Sequence, residues 1–209
     1  MRIAIDTRAY FQRTGIARYT RGLVAGLAAR ARDHEILLLI SDHHRPDEIP
    51  LPGHMIAQVS SAPWLGGDEE RRRLESEAQA WDADVFHAIF PPIAFDTLPS
   101  IVTIFDLTPL THPQLHQEVV RTAFERAWIQ MQTTGARLVA ISQATRDAIA
   151  LVTGDAADAA ADVIGVGLSP PFDQLPDTAD PNTRRGVLFV GTLEPVSYTH
   201  LTLPTILRV

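Results

Sequence analysis

The first candidate for chemistry is the loop after the first apolar run, DTRAYFQRTGIARYTRGL at residues 6–23. Thr14 is suited to cap a helix that begins at Gly15, where free backbone N–H groups and the helix dipole attract an anion. Positive charge nearby comes from three arginines, Arg8, Arg13 and Arg18. The same residues also fit a capped helix with a turn glycine and solvated arginines. The loop lacks the G-x-G-x-x-G pattern, which argues against a nicotinamide or flavin cofactor.

A second candidate is Asp106, in SIVTIFDLTPLTHPQLH at residues 100–116, where an apolar run ends and two prolines break the chain. A carboxylate at the carboxyl end of a strand can accept a proton or bind a sugar hydroxyl. Asp also often hydrogen-bonds its own turn, and the sequence favours neither interpretation. His112 and His116 are interpreted as surface residues, because the sequence shows no neighbour that would tune them.

Two further polar residues follow predicted strands. His87, in DVFHAIFPP, is predicted to line a cleft or to cap its strand. Ser142 precedes a helical pattern in RLVAISQATRDAI, and its oxygen suits an N-cap. The chain has no G-x-S-x-G elbow and no pair of His or carboxylates at metalloprotease spacing, so neither a hydrolase triad nor a metal site is predicted.

A sheet is needed to bring these candidates together. Short apolar runs alternate with helical patterns, and runs that are apolar on both faces are typical of strands covered by helices on each side. The predicted strands are 2–6, 35–41, 54–60, 84–89, 100–106, 137–142, 161–166 and 186–191. Because parallel neighbours require crossovers, the alternation predicts an α/β fold with a doubly wound, mostly parallel, Rossmann-like sheet. Ligands of such sheets bind beyond the carboxyl ends of the strands.

Helices are predicted between the strands. Two of them have apolar residues at helical spacing, namely Ile16, Tyr19, Leu23 and Leu27, and Val120, Phe124, Ala127 and Met131. A third, DEERRRLESEAQAW at residues 68–81, is polar and is interpreted as a solvated outer face.

Composition narrows the class of protein. The chain has 209 residues, 45% of them hydrophobic, and a formal charge of −7, which suits a packed core and argues against nucleic-acid binding. It has no cysteine, which excludes disulfides and thiolate chemistry and fits a reducing compartment. Asp6 interrupts any signal peptide, and ILLLI at residues 36–40 is too short to span a bilayer. A cytoplasmic protein is predicted.

Several segments of residues 1–195 are similar, in order, to motifs of one family. They are TGIARYTRGL, DVFHAIFPP, SIVTIFDLTPLTHP, RLVAISQATRDAI, DVIGVGLSPPF and VLFVGTLEP. The third is like V-T-x-H-D-L-x-P-L, the fourth like V-S-x-x-S-x-x-D-[LI] and the fifth like V-x-x-x-G-V-x-x-x-F. On these segments the chain resembles the group 1, or family four, glycosyltransferases of the GT-B fold, and specifically their amino-terminal half.

The resemblance implies a transferase that moves a sugar from a nucleotide-sugar to a sugar or lipid-linked acceptor, in the synthesis of cell-surface polysaccharide or a related glycan. It implies no cofactor, no required metal and, for a lipid-linked acceptor, peripheral contact with the inner face of the membrane. Gly15, with Thr14, would approach the donor diphosphate, and Asp106 would be the catalytic residue. Phe105 stands at the family's histidine position and cannot transfer a proton. The acceptor cleft has four candidate lining residues, Arg13, His87, Phe105 and Ser142.

Domain boundaries are predicted from composition and from the resemblance. Residues 1–168 would form the acceptor-side domain, 169–185 a linker rich in Pro, Asp and Thr, and 186–195 the first strand and turn of a donor-binding domain. The family continues with a basic pair and an E-x7-E region, whereas this chain continues with VSYTHLTLPT. That string resembles a translated sequencing adapter, so 196–209 are interpreted as a non-native tail and the chain as an inactive, truncated fragment.

Two other functions stay open at this point. A non-catalytic α/β module that binds a sugar or a protein is favoured slightly by Phe105 at the histidine position. A nucleotide-dependent epimerase or dehydrogenase is disfavoured by the missing glycine fingerprint.

Overall fold

The sheet predicted from the sequence is present in the computed structural model, which describes residues 1–65, 67–154 and 161–168. Its strands are β1 (Arg2–Asp6), β2 (Glu35–Ile40), β3 (Met55–Val59), β4 (Val85–Ala88), β5 (Ser100–Ile104), β6 (Arg137–Ala140) and β7 (Ala161–Val163). They form one sheet in the order β3-β2-β1-β4-β5-β6-β7, and every neighbouring pair is parallel. The prediction of a doubly wound, Rossmann-like α/β fold is confirmed.

Helices cover both faces of this sheet. In the described part of the chain they are α1 (Gly15–Arg30), α2 (Asp68–Ala80), α3 (Thr108–Thr111), α4 (Glu118–Thr134) and α5 (Gln143–Thr153). Apolar side chains of α1 pack on one face, and those of α2, α4 and α5 pack on the other. None of these helices combines the length and the apolar character that crossing a bilayer requires.

Strand β2 shows why both faces need cover. Its residues from Ile36 to Ile40 are all buried. Because successive side chains of a strand point to opposite faces, Leu37 and Leu39 join the core beneath α2, α4 and α5, whereas Ile36 and Leu38 join the core beneath α1. A run without polar alternation is therefore the expected pattern for a strand between two helical layers.

Several predicted boundaries need correction. The strand predicted at 100–106 ends at Ile104, so Phe105 and Asp106 lie in the following loop, and β7 is shorter than the predicted 161–166. The predicted strand 186–191 lies outside the described residues. The linker 169–185, the segment 186–195 and the tail 196–209 lie outside them too.

The strand order leaves a crevice at the carboxyl edge of the sheet. From β1 the chain passes outward through β2 to β3, and it then returns to the other side of β1 to form β4. The loops after β1 and β4 therefore diverge, and the space between them is where open parallel sheets bind ligands. The candidate residues of the site are distributed around this edge.

Candidate functional site

The loop between β1 and α1 is held by hydrogen bonds at both ends. The backbone N–H and the hydroxyl of Thr7 both donate to the carbonyl of Leu39, at 2.9 and 3.0 Å. Arg21, in the second turn of α1, donates from Nη1 to the carbonyls of Tyr10 and Gln12, at 2.7 and 3.3 Å. The start of α1 is thereby fixed relative to the sheet edge.

Thr14 and Gly15 form the start of α1. Thr14 has extended backbone angles, and its Oγ1 accepts a hydrogen bond from the backbone N–H of Ala17 at 3.2 Å, so it is the N-cap. Gly15 lacks the positive φ that favours glycine, and a Cβ added there would meet no atom within 4 Å. Neither backbone conformation nor packing therefore requires glycine at this position, and its bare backbone faces solvent.

A basic hollow of about 490 Å³ opens at this helix start. It is lined by residues of the loop and of the first turns of α1, namely Phe11, Gln12, Arg13, Thr14, Gly15, Arg18 and Arg21. The side chains of Arg13 and Arg18 are exposed. The hollow, called here the anion hollow, combines backbone N–H groups of a helix start with guanidinium groups, which is a suitable environment for a phosphate.

Arg8 does not belong to the anion hollow, so the prediction that it adds charge there is wrong. Its Nε and Nη2 donate to the two carboxylate oxygens of Asp6, at 2.8 and 2.7 Å, and Nη2 also donates to Glu70 at 2.6 Å. All three side chains are almost fully buried. Burial alone would lower the pKa of Arg8, but the two carboxylates outweigh it and hold that pKa above its ordinary value.

The buried ion cluster of Asp6, Arg8 and Glu70 also corrects the description of α2. The polar sequence of this helix predicts a solvated outer face, yet Glu70 in its first turn is 2% exposed, and Leu74 and Ala78 are fully buried. Glu70 lies on the same helix face as Leu74 and Ala78, four and eight residues on, and it reaches the carboxyl end of β1.

Asp106 is exposed and bonds to its own turn. Its Oδ1 accepts from the backbone N–H of Thr108 at 2.9 Å and from the Thr108 hydroxyl at 2.6 Å. Of the two interpretations left open by the sequence, the turn is therefore realised. The second oxygen, Oδ2, makes no hydrogen bond to the described residues and remains available to a ligand.

His87 is half-buried and hydrogen-bonds to the neighbouring strand. Its Nε2 hydrogen-bonds the hydroxyl of Thr103 on β5 at 2.8 Å, and the Tyr19 hydroxyl lies 3.4 Å from the same oxygen. Burial lowers the pKa of His87 to about 4. The ring is thus neutral near pH 7 and cannot offer positive charge to a phosphate.

An apolar cavity of about 180 Å³ reaches the start of α1 at Ile16, the residue after Gly15 of the anion hollow. Its walls come from the start of α1, the ends of β4 and β5, and α4, and they comprise Ile16, Phe90, Pro92, Thr103, Ile104, Phe105, Asp106, Pro109, His116, Val120 and Phe124. The ring of Phe105 meets that of Tyr19 edge-on, with centroids 5.1 Å apart. Phe105 and Asp106 both line this cavity, and Ile16 of α1 forms another part of its wall.

His116 lines the cavity although the sequence does not mark it as a site residue. Its Nε2 lies 2.9 Å from the hydroxyl of Thr108, which in turn contacts Asp106. His112, by contrast, is exposed, as predicted for both histidines. The eight positions from Thr108 to His116 contain α3 and a 3-10 turn (Pro113–Leu115). The two prolines of this loop interrupt any helical period, so the sequence does not indicate the contact.

Ser142 serves as the N-cap of α5 and lines neither the anion hollow nor the cavity. Its Oγ accepts from the backbone N–H of Thr145 at 3.1 Å, and it lies 3.0 Å from the Thr145 hydroxyl. That hydroxyl donates to the carbonyl of Phe105 at 3.1 Å. The cap therefore links α5 to the end of β5.

Ser142→Ala is expected to lower the free energy of unfolding by about 1 kcal/mol, because the N–H of Thr145 loses its acceptor. Chemical denaturation followed by circular dichroism measures the change. Ser142→Asn is the matched control, since it restores a capping oxygen and should recover most of the stability. Equal losses in the two variants would contradict a capping role.

In the described residues no group of three or more His, Asp or Glu side chains is arranged to hold a metal ion. The predicted site residues fall into two sets. Arg13, Thr14 and Gly15 lie around the anion hollow, and Phe105 and Asp106 lie at the cavity.

No protein-family model matches this chain, and a search of curated proteins finds no match either.

Proposed function

We propose that this chain is the acceptor-side domain of a glycosyltransferase that moves a sugar from a nucleotide-sugar to a sugar or lipid-linked acceptor. The proposal is supported by the ordered motif segments and by their positions on the fold. TGIARYTRGL begins α1, SIVTIFDLTPLTHP runs from β5 into α3, and RLVAISQATRDAI spans β6 and α5. Each segment thus lies at a carboxyl end of a strand, where a ligand of this fold class binds.

Gly15 carries the proposal. The fold requires glycine neither here nor at Gly26, but of these two only Gly15 lines the anion hollow, where a bare backbone allows a ligand to approach the first N–H groups of α1 closely. The nearby exposed Arg13 and Arg18 favour an anion, and a diphosphate fits a hollow of about 490 Å³. A nucleotide-sugar contains such a diphosphate.

In the proposed reaction, an acceptor hydroxyl oxygen bonds to the sugar carbon as the bond from that carbon to the diphosphate breaks. The nucleoside diphosphate leaves with the bonding electrons, the hydroxyl proton passes to the leaving group or to solvent, and negative charge develops on the diphosphate. N–H groups and guanidinium groups fixed around the anion hollow would stabilise that charge, and such preorganised stabilisation is a large contribution to catalysis. Asp106 would bind a hydroxyl at the neighbouring cavity through its second oxygen. Phe105 contributes an apolar surface and no proton transfer. No metal or cofactor is part of the proposal. The proposed location is the cytoplasm, with peripheral contact to the inner face of the membrane for a lipid-linked acceptor.

Gly15→Ala is expected to separate binding from stability. Alanine suits a helix better than glycine by about 0.5–1 kcal/mol, so the free energy of unfolding should stay constant or rise. Binding of UDP or GDP should weaken about tenfold, because the new methyl group occupies the space of the phosphate. Isothermal titration calorimetry on the purified chain measures the affinity.

The control is Gly26→Ala, in the same helix, where an added Cβ also meets nothing within 4 Å. It should stabilise α1 without changing nucleotide affinity. If Gly15→Ala and Gly26→Ala bind UDP and GDP as the parent does, or if the parent binds neither, the assignment of the anion hollow to a nucleotide diphosphate is wrong.

A non-catalytic sugar-binding module is the second candidate, and Phe105 at the cavity favours it because this position offers no proton-transferring group. Such a module would bind a glycoside at the cavity without any diphosphate in the anion hollow. Glycoside binding that persists in a chain with no measurable affinity for UDP or GDP would support this candidate over the transferase.

A further inference from the structure

A chain of hydrogen bonds runs along the rim of the apolar cavity. Asp106 Oδ1 accepts from the hydroxyl of Thr108 at 2.6 Å, and His116 Nε2 lies 2.9 Å from the same hydroxyl oxygen. Asp106 and His116 both line the cavity. Thr108, on α3, thus connects two polar groups of an otherwise apolar wall.

The hydrogen atoms in this series of hydrogen bonds can be placed. A threonine hydroxyl has one hydrogen, and here it is donated to the carboxylate of Asp106. The hydroxyl can therefore only accept from His116, which places a hydrogen on Nε2. In a neutral imidazole the other nitrogen, Nδ1, then carries a lone pair and acts as an acceptor.

The lone pair on Nδ1 is available. This nitrogen makes no hydrogen bond to the described residues, and the ring of His116 is partly buried at the cavity wall. Most of the other residues that line the cavity are apolar, including Phe90, Phe105 and Val120. A cavity with apolar walls and a few fixed polar groups is the usual design for orienting a small ligand. A sugar ring suits it, because it has an apolar C–H face and hydroxyl groups at its edge.

We propose that His116 binds the acceptor substrate, a pyranoside, by accepting a hydrogen bond from one of its hydroxyl groups at Nδ1. The apolar face of the sugar packs against Phe105 and Phe90. Thr108 and Asp106 hold the imidazole in the required tautomer. This assignment rests on the proposed glycosyltransferase function, and it specifies where the acceptor lies and what it presents.

The tautomer is tested first, by ¹⁵N NMR of the histidine rings in the full chain. His116 should show a protonated Nε2 and an unprotonated Nδ1, and Thr108→Val should shift the ring ¹⁵N resonances because Nε2–H loses its acceptor. Thr111→Val is the matched control on α3, because Thr111 contacts Nδ1 of the exposed His112 at 2.9 Å. A protonated Nδ1 on neutral His116 in the parent chain would overturn the proposal.

Binding is tested by titrating the chain with methyl α-D-glucopyranoside, methyl α-D-galactopyranoside and methyl α-D-mannopyranoside. We expect at least one of them to shift the Nδ1 resonance of His116 saturably. His116→Gln keeps a donor near Nε2 but removes the acceptor, so its affinity should fall about fivefold to tenfold, as expected for one hydrogen bond. His116→Asn retains an acceptor near Nδ1, so its affinity for the pyranoside should fall by less.

The outcomes distinguish this assignment from the proposed function. If UDP or GDP binds the parent but no pyranoside shifts His116, or if His116→Gln binds the pyranoside as the parent does, the assignment of His116 is wrong and the proposed function stands. If a pyranoside binds at His116 while UDP and GDP do not bind at all, the proposed transferase fails and His116 belongs to a sugar-binding module.

Discussion

Arg8→Met is expected to lower the free energy of unfolding by about 3–5 kcal/mol, the cost of removing one partner of a buried ion cluster. The guanidinium of Arg8 donates to both oxygens of Asp6 and to Glu70, at 2.8, 2.7 and 2.6 Å. Without it, two carboxylates that are almost fully buried would face each other, and burying such charges is costly. The loss is a large share of the 5–15 kcal/mol typical of a folded domain.

Urea denaturation measures this loss, with Arg73→Met as the matched control. Arg73 lies on α2 as Glu70 does, and it pairs with Glu69 at 2.9 Å, but both side chains are about half exposed. An exposed pair contributes only about 0–1 kcal/mol. If Arg8→Met does not fold, Arg8→Lys supplies the second measurement. Lysine keeps the charge but loses the bidentate contact, so the free energy of unfolding should fall by less. Equal effects of Arg8→Met and Arg73→Met would show that the cluster contributes no special stability.

Acidification is expected to destabilise the fold through His87, by up to about 3 kcal/mol between pH 7 and pH 4. Burial lowers the pKa of His87 to about 4 from the model-compound value of 6.5. Above pH 6.5 the ring is neutral in both the folded and the unfolded chain, so it adds no pH dependence. As the pH falls below 6.5, His87 binds a proton in the unfolded chain but not in the folded chain until about pH 4. The free energy of unfolding therefore decreases over this range.

His87→Gln isolates this effect, because carboxylates also titrate in the same pH range. The glutamine amide can still contact the Thr103 hydroxyl, but it does not titrate. Free energies of unfolding measured from pH 4 to pH 7.5 should therefore fall more steeply for the parent than for the variant. His43→Gln is the control, since the side chain of His43 is 86% exposed. Parallel curves for the parent and His87→Gln would contradict the lowered pKa.

The features that the sequence predicts well are local. Strand β2 is visible because EILLLI is apolar on both faces, and α1 because its apolar residues recur at helical spacing behind a capping Thr14. The position of Gly15 at the helix start follows from the same capping pattern. These features depend on neighbours within one or two turns, so the information for them lies in a short stretch of chain.

The features that the sequence does not predict depend on distant partners. Glu70 meets Arg8 although the two are 62 positions apart, and the polar sequence of α2 gave no sign that this one carboxylate turns inward. His87 likewise meets Thr103, 16 positions on, only because β4 and β5 are neighbours in the sheet. Strand pairing decides such contacts, and periodicity within a segment does not reveal which polar groups will face each other.

The ion cluster around Arg8 also affects the entropy of ligand binding. Arg8 Nη1 donates to the carbonyls of Ala62 and Pro63, at 3.2 and 3.3 Å, and its guanidinium lies over the ring of Trp64. One side chain thus fastens the β3–α2 connection, the start of α2 and the end of β1 into a single wall of the crevice. A ligand that touches this wall orders little that was not already ordered, so little affinity is lost there to immobilising protein side chains.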